Sequence, residues 1–427
     1  MIRLAFFLFF LSCASSKENI LVKDGQKKRL LIDKFNYLEN QKLKPFATGL
    51  ASTLTNGLAR IPSLDVIGPA EKANTLKLIQ EKQLFGEDVD PVEFLSKITA
   101  ADYFCNGDIQ TEQETALVNV RISDAKHGNL ILNTATRGIL ERPITLQDKV
   151  MENLLSNIDG KNTEFNKSFI SKSSTKNAVA FSNYVQAFDI LYTNPQRAAV
   201  FLINALKEDP EYLDALEDLS NILFQLGDSK KALGFLWKKK EILDRRGLQN
   251  TLDYTNTLFN LGVVHFSLGE REKGIQFCVQ DKELKETLKL KSRKPYATTL
   301  QTLGAFYIYQ KKYKQGIIQL ESARNVLLSL GLDKTFDYAD LLTSLGSAYK
   351  QSGDFQIAAS LYQDAGSIFK ELGLTSTSSY AALLTNQGAL HSANGEYKEA
   401  LKKFIQDKEI QNKLGLIKTE GYVVTPK

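Results

Sequence analysis

The second half of the chain carries one helical pattern that recurs. From about Asn177 onward, apolar residues return every three or four positions, which is the spacing of one face of an α-helix. The pattern repeats with a period of 42 residues. Three columns keep this spacing: tyrosines (Tyr212, Tyr254, Tyr296, Tyr338, Tyr380), glycines (Gly262, Gly304, Gly346, Gly388) and small residues (Ala232, Gly274, Gly316, Ala358, Ala400). Small residues at fixed positions let two helices cross closely, so the pattern predicts stacked helix pairs over residues 177–421.

These columns resemble the tetratricopeptide repeat. In the copy that starts near Ala339, the signature falls on Leu342, Leu345, Gly346, Tyr349, Ala358, Tyr362 and Ala365. The usual period of that repeat is 34 residues. Residues 178–211 look like one copy of this length, so about six repeats are expected. In the longer copies the extra residues follow Ala365, as a second helix that runs on to Gly373 and Leu374, and this variant resembles the repeat of the kinesin light chain type.

The resemblance implies a solenoid whose first helices line a concave groove for a protein or peptide partner. Aligned with the repeat family, the predicted groove residues are Asn221, Phe224, Asn256, Phe259, Phe266, Gln301, Ile308, Tyr309, Thr343, Ser347 and Lys350. Asp214 also aligns with this groove. Apolar side chains such as Phe259, Phe266 and Tyr309 would face a groove rather than a core, and such groups often mark a binding surface. The alternative is that one end of the chain, or the first domain, fills the groove.

Residues 29–158 mix strand and helix patterns. Short apolar runs at 29–35 and 64–69 predict strands, and a helix over 44–61 places apolar residues four apart. Three β-rich stretches follow, and the middle one alternates apolar with polar residues, which is typical of a half-buried strand. A last helix is expected from about Pro143 to Ile158.

The same region resembles the TolB N-terminal-like domain. The matching stretches are "LASTLTNGLARIPSLDVIGP", "ITAADYFCNGDIQTE" and "ALVNVRISDAKHGNLI", in the order of that family. The resemblance implies an α/β domain of mixed sheet and helices that is found in exported envelope proteins and acts in assembly or protein contact. We therefore expect an α/β N-terminal domain at 29–158, a linker at 159–176, an all-α solenoid at 177–421 and a tail at 422–427.

The N-terminus carries a run of eight apolar residues, Leu4 to Leu11. Such a run is too short to span a bilayer as a helix, and it fits a secretory signal. The run ends at "FLSC", which resembles the lipobox of bacterial lipoproteins. The resemblance implies a signal peptide over 1–12, a lipid on Cys13 and a polar tether over 13–28. The alternative is a plain signal peptide cut near Ala14.

Composition and motifs narrow the classes of function. The 427 residues include 54 Lys and Arg against 49 Asp and Glu, a net charge of +5 that gives little reason to expect a nucleic-acid partner. The sequence has no H-E-x-x-H, G-x-S-x-G, G-x-G-x-x-G or phosphate-loop pattern, so we expect no enzymatic activity, metal or cofactor. His265 and His391 align with packing positions, and Cys105 and Cys278 are expected to be buried, unpaired thiols.

The leading hypothesis is a lipid-anchored protein of the cell envelope, in the outer membrane, that acts as a scaffold or adaptor through its groove. Two alternatives remain open at this point. The protein could be a surface-exposed lipoprotein that binds a host molecule or another ligand. It could also be a sensor whose α/β domain receives a small molecule or a cell-wall fragment.

Overall fold

The computed structural model describes residues 22–23, 26–37, 43–61, 64–158, 175–191 and 193–416. The predicted signal peptide, Cys13, most of the linker and the predicted tail lie outside these residues. Within the predicted tether, strand β1 (Val22–Lys23) pairs antiparallel with β2 (Gln26–Lys27). None of the described helices combines the length and the apolar character that crossing a membrane requires.

In the described residues, the α/β domain has one five-stranded sheet and four helices. Its strands are β3 (Arg29–Asn36), β4 (Asp65–Val66), β5 (Tyr103–Glu112), β6 (Thr115–Asp124) and β7 (Leu130–Ile139). Its helices are α1 (Lys44–Ala59), α2 (Pro69–Leu84), α3 (Pro91–Thr99) and α4 (Pro143–Ile158). The sheet order is β4-β3-β5-β6-β7; β3 pairs in parallel with β4 and β5, and the other pairs are antiparallel. The mixed α/β architecture predicted for this domain is confirmed.

Helices α1 and α4 share a core with the sheet. The core contains Leu50, Leu54 and Leu58 from α1, Val118, Val120 and Ile122 from β6, and Val150, Leu154 and Ile158 from α4. The spacing of four in α1 and of two in β6 is what places each of these residues on one face of its element. The sequence pattern therefore located this core correctly.

The solenoid has six antiparallel helix pairs in the described residues. The first helices are α5 (Ala178–Ile190), α7 (Leu213–Gln225), α9 (Leu252–Ser267), α11 (Lys294–Tyr309), α13 (Phe336–Ser352) and α15 (Ser378–Ala393). The second helices are α6 (Pro195–Glu208), α8 (Ser229–Arg245), α10 (Arg271–Thr287), α12 (Tyr313–Ser329), α14 (Phe355–Glu371) and α16 (Tyr397–Lys413). Successive first helices, such as α13 and α15, contact each other more extensively than successive second helices do. Because helices on the inside of a curved array lie closer together, the first helices form its concave layer.

The longer period comes from the second helices and the loops that follow them. Helices α8, α10, α12, α14 and α16 each have 17 residues, whereas α6, in the shorter copy, has 14. Helix α14 was expected to reach Leu374 but ends at Glu371, because Gly373 takes a left-handed conformation with φ +70° that stops the helix. A short loop then leads to Thr377, whose hydroxyl accepts a hydrogen bond from the N–H of Tyr380 and caps α15.

The α/β domain lies along one edge of the solenoid. Helix α1 packs against α5 so closely that a Cβ added to Gly49 would lie 2.8 Å from side-chain atoms of both Phe181 and Val185. Farther along, Ile79 of α2 and Phe94 of α3 belong to the same buried cluster as residues of α11 to α15. The α/β domain therefore touches both ends of the array.

Candidate protein-binding surface

The α/β domain contacts the first turns of the first helices and the loops between repeats. We call this side of the solenoid the docked edge. The opposite side, where the turns within each helix pair lie, is the free edge. The predicted groove runs along the first helices between these two edges, so the position of the α/β domain decides which part of it a partner can reach.

Arg60, which follows α1, makes the first contact on the docked edge. Its Nε donates a hydrogen bond to Asp253 Oδ2 at 2.9 Å, its Nη2 donates to Asp214, and all three side chains are nearly inaccessible. Burial alone would lower the pKa of Arg60, but the two carboxylates raise it above its usual value. Since Asp214 lies in the first turn of α7 and Asp253 in that of α9, one arginine bridges two successive repeats.

A buried carboxyl group lies beside this contact. The Tyr184 hydroxyl of α5 donates to Asp218 Oδ2 at 2.8 Å, and the Asn56 amide of α1 donates to the Tyr184 oxygen at 3.0 Å. Burial raises the pKa of Asp218 to about 7; Glu217 and Asp214 add to this rise, and the Tyr184 hydrogen bond opposes it. Asp218 is therefore partly protonated near neutral pH, at the place where α1 meets the solenoid.

Glu71 makes the second contact, from the first turn of α2. It accepts hydrogen bonds from Arg29 Nη2 at 3.0 Å and forms an ion pair with Lys294 Nζ at 2.7 Å. Burial alone would raise the pKa of Glu71, but Lys294 and Arg29 lower it below its usual value. Lys294 also pairs with Asp337, and thus the contact again joins two neighbouring first helices, α11 and α13.

Helix α2 makes the third contact near its C-terminal end. Glu81 accepts hydrogen bonds from the N–H of Ser378 at 3.0 Å and from its hydroxyl at 2.8 Å, which places a carboxylate at the N-terminus of α15. Lys82 Nζ donates to the Gly373 carbonyl oxygen at 2.6 Å. Gly373 belongs to a loop that the longer period adds, so these loops serve as part of the docking surface.

The predicted groove residues lie beyond the docked edge on the first helices. Asn221, Phe224, Asn256, Phe259, Phe266, Gln301, Ile308, Ser347 and Lys350 are half-buried, Thr343 is buried and Tyr309 is exposed. The Thr343 hydroxyl donates to the Ala339 carbonyl oxygen at 2.9 Å and so bonds to its own helix. The Gln301 amide donates to Asp340 Oδ2 at 3.1 Å and joins α11 to α13. Burial raises the pKa of Asp340 to about 6.

An aromatic patch lies at the free edge and consists of Phe266, Phe306, Tyr309 and Arg271. The rings of Phe266 and Phe306 are stacked with centroids 3.7 Å apart, and Tyr309 meets Phe266 edge-on at 5.5 Å. The Arg271 guanidinium lies 4.7 Å from the centroid of the Tyr309 ring, and its Nη2 donates to the Tyr309 hydroxyl at 3.2 Å. The Tyr309 residue is 61% exposed. The patch thus offers an apolar ring and a positive charge side by side.

The sequence did not reveal the docked edge. Asp214 aligned with the groove, but Arg60 of the α/β domain covers it. At this one position the first domain occupies the predicted groove, as the alternative stated. The one signal available was an acidic residue in the first turn of several first helices, as at Asp253 and Asp337. Acidic residues are also favourable at helix N-termini without any partner, so this signal does not single out a docking surface.

Of the residues for which the sequence predicted packing positions, His265, Cys105 and Cys278 are buried, whereas His391 is half-buried and its ring pairs with Glu396. His265 is buried and its ring stacks on Phe277 with centroids 5.4 Å apart. Cys105 and Cys278 are buried free thiols, and burial raises the pKa of each to about 12, so both stay protonated at neutral pH.

No known protein-family model matches the chain, and no curated protein matches it. Among solved structures, BtubC (BKLC) from P. vanneervenii is 18% identical, with a TM-score of 0.44 over 58% of this chain and 93% of that one. The Podosopora anserina putative kinesin light chain with nearly identical TPR-like repeats is 17% identical, with a TM-score of 0.42 over 48% and 98%. The apo form of RapI is 17% identical, with a TM-score of 0.43 over 61% and 93%. The geometry of the chain itself defines its class: an α/β domain followed by a solenoid of the tetratricopeptide type.

Proposed function

We propose that this protein is a lipid-anchored scaffold of the cell envelope whose solenoid binds a protein or peptide partner on its first-helix layer, from the free edge. The observation that carries the proposal is the aromatic patch. Tyr309 is exposed on the side of the solenoid opposite to the docked edge, and Arg271 holds its ring in place. Exposed aromatic rings and arginines in one cluster are the side chains that most often carry binding energy.

The docked α/β domain supports this choice of surface. The first turns of α7, α9, α11 and α15 are in contact with Arg60, Glu71 or Glu81 of the α/β domain. A partner would therefore reach the first helices from the opposite side. The partner that fits is a segment with an apolar side chain for the Tyr309 ring next to a carboxylate for Arg271.

Photo-crosslinking tests the surface directly. A photoreactive amino acid in place of Tyr309, in the full chain and in native membranes, should give a discrete adduct with a partner. Ile318, which is 60% exposed on second helix α12, provides the matched control position. Adducts at both positions, or at 318 alone, would contradict binding at the free edge.

The lipid anchor and the envelope location rest on the lipobox resemblance at Cys13. A Cys13→Ser variant should lose incorporation of labelled fatty acid and move from the membrane to the soluble fraction. Unchanged labelling would rule out lipidation at this residue. Protease treatment of intact cells tests the surface-exposed alternative, because it removes the solenoid if the protein faces outward and spares it if the protein faces the periplasm.

A further inference from the structure

Strand β7 is an open edge of the five-stranded sheet. Among the described strands it pairs with β6 alone. At the other end of the sheet, the Leu64 carbonyl oxygen, just before β4, accepts a hydrogen bond from Arg293 Nη2 of the solenoid. An edge strand presents a row of backbone N–H and C=O groups with which another strand can pair. Strand β7 therefore offers such a row at the end of the sheet opposite to this contact with the solenoid.

The ladder between β6 and β7 fixes which backbone groups point outward. Thr115 lies opposite Ile139, and the N–H of Leu140 donates to the Glu114 carbonyl oxygen at 3.1 Å. Hydrogen-bonded and non-hydrogen-bonded pairs alternate in an antiparallel ladder. The residues whose backbone groups point away from β6 are therefore Asn133, Ala135, Arg137 and Ile139. The register shifts around Ile131, where this regular edge ends.

The side chains along this edge lie on the open face of the sheet. Asn133, Ala135 and Arg137 are exposed, whereas Thr134 between them is buried. Ile131 is 39% exposed and Ile139 is 46% exposed. The edge thus ends in an exposed isoleucine on both sides, and an exposed edge strand with apolar side chains is prone to pair with another chain.

The edge reads almost the same in both directions. Its exposed residues follow the order Ile131, Asn133, Ala135, Arg137 and Ile139. When two copies are placed antiparallel about Ala135, each Ile131 lies opposite the Ile139 of the other copy, and each Asn133 lies opposite an Arg137. The two alanines meet at the axis, where a small side chain leaves room for close approach. The β7 edge is therefore complementary to itself.

Other registers of such a pair fit less well. A pair centred on Arg137 would set two arginines directly opposite each other, and like charges in that position destabilise a sheet. A pair centred on Asn133 would use only residues 130–136 of the strand. In the register about Ala135, Arg137 faces an amide and keeps its ion pair with Glu112, whose Oε2 lies 2.8 Å from Arg137 Nη1.

One side chain of the same molecule reaches this edge from the core side. Asn153 Nδ2 of α4 donates to the Ala135 carbonyl oxygen at 3.1 Å and to Thr136 Oγ1 at 2.9 Å. Helix α4 belongs to the core below the sheet, so this hydrogen bond approaches from outside the plane of the strands. A carbonyl oxygen has two lone pairs, and Ala135 can therefore still accept a hydrogen bond from a strand beside it.

We propose that two copies of this chain pair through β7, antiparallel and centred on Ala135, so that their two sheets become one. The outward backbone groups of Asn133, Ala135 and Arg137 then find partners, and Ile131 and Ile139 cover each other across the interface. The pairing goes beyond the proposed function and does not depend on it. It would place two aromatic patches on one particle, which strengthens the binding of a partner that carries two matching segments.

Cysteine cross-linking tests the register in the full chain. Ala135→Cys should form a disulfide-linked dimer on mild oxidation, because Cα atoms of a hydrogen-bonded antiparallel pair lie about 5.5 Å apart, which a disulfide can span. Asn133→Cys is the matched control, since its two copies would lie about 13 Å apart along the strands. Mixing Asn133→Cys with Arg137→Cys should restore the cross-link. The unchanged chain shows any dimer that its own cysteines form.

The mass of the full chain by light scattering tests the pairing without an added thiol. The unchanged chain should be a dimer. Ala135→Lys sets two ammonium groups opposite each other at the axis and should raise the dissociation constant of the dimer by about tenfold or more. Ala135→Ser is the control, because a small uncharged side chain should keep the dimer. Ala135 is exposed, so neither replacement disturbs the core.

Three outcomes would overturn the proposal. Equal cross-linking by Ala135→Cys and Asn133→Cys would indicate chance encounters in place of a fixed register. A chain that stays monomeric, or a dimer that Ala135→Lys leaves intact, would show that β7 does not pair with a second copy. A cross-link from Ala135→Cys to a different protein would assign the edge to a strand of that protein.

Discussion

The two edges of the solenoid are built from different chemistry. The docked edge holds charges that are withdrawn from water and paired, with Arg60 between Asp214 and Asp253 and Glu71 between Arg29 and Lys294. The free edge exposes a ring, Tyr309, that its neighbours orient without covering. The repeated tyrosine, glycine and alanine columns pack the helices in the same way along the whole solenoid. The chemical difference between the two edges therefore comes from residues outside these columns. Buried ion pairs fix one geometry and are costly to break, whereas an exposed aromatic group remains available to a partner.

Replacing Arg60 should lower the free energy of unfolding more than any other change at either edge. Arg60→Met keeps much of the volume but leaves Asp214 and Asp253 buried without their cation, and breaking a buried pair in this way costs about 3–5 kcal/mol. The measurement is the free energy of unfolding in urea. Lys149→Met is the control, because that side chain is exposed on α4, away from the docked edge. If both variants unfold at the same urea concentration, Arg60 does not hold the two domains together.

Asp218 should make the stability depend on pH. Its pKa is about 7 in the folded protein against an ordinary value of 3.8, so between these values the folded state binds a proton that the unfolded state releases. The stabilisation from this group is present below pH 3.8 and is lost as the pH rises through about 7. Asp218→Asn removes that proton exchange, so the variant should gain stability over the wild type on going from pH 5 to pH 8. A stability difference that is equal at both pH values would contradict the burial of an ionisable Asp218.

Gly49→Ala should loosen the contact between α1 and α5. The added Cβ would lie 2.8 Å from side-chain atoms of Phe181 and Val185, and overpacking of this kind costs about 1–3 kcal/mol. Gly234→Ala provides a control with the opposite sign. Gly234 lies in helix α8 with open space around it, so alanine there should stabilise by about 0.5–1 kcal/mol. Unfolding midpoints that rise in both variants would show that α1 and α5 do not pack as described.

The sequence predicted the repeated parts of the molecule and missed what joins them. The column of Gly262, Gly304, Gly346 and Gly388, at which the two helices of a pair approach closely, recurs in the sequence and could be counted. The buried face of β6 was also predictable, because its spacing of two shows directly which side chains face the core, whereas the mixed sheet was expected only from the TolB N-terminal-like resemblance. Arg60 and Glu71 carry no such periodicity, since each occurs once, in a domain that has no repeats, and reaches across to the solenoid. Long-range pairs of this kind are set by the tertiary arrangement, and one sequence holds no second copy of them for comparison.

Replacing Tyr309 should have the smallest effect on stability. It should also separate the two edges most clearly, because partner capture should fall while the fold is kept. The ring is exposed and loses one edge-on contact and one cation contact, so Tyr309→Ala should cost less than about 1 kcal/mol of unfolding free energy. Partner capture in native membranes should nevertheless fall about tenfold, as expected for an aromatic residue that dominates an interface. Tyr309→Phe keeps the ring but removes the hydroxyl that accepts from Arg271, so it should retain most of the capture. Capture that falls equally in Tyr309→Phe would assign the effect to the hydroxyl, and capture that survives Tyr309→Ala would move the binding surface away from the free edge.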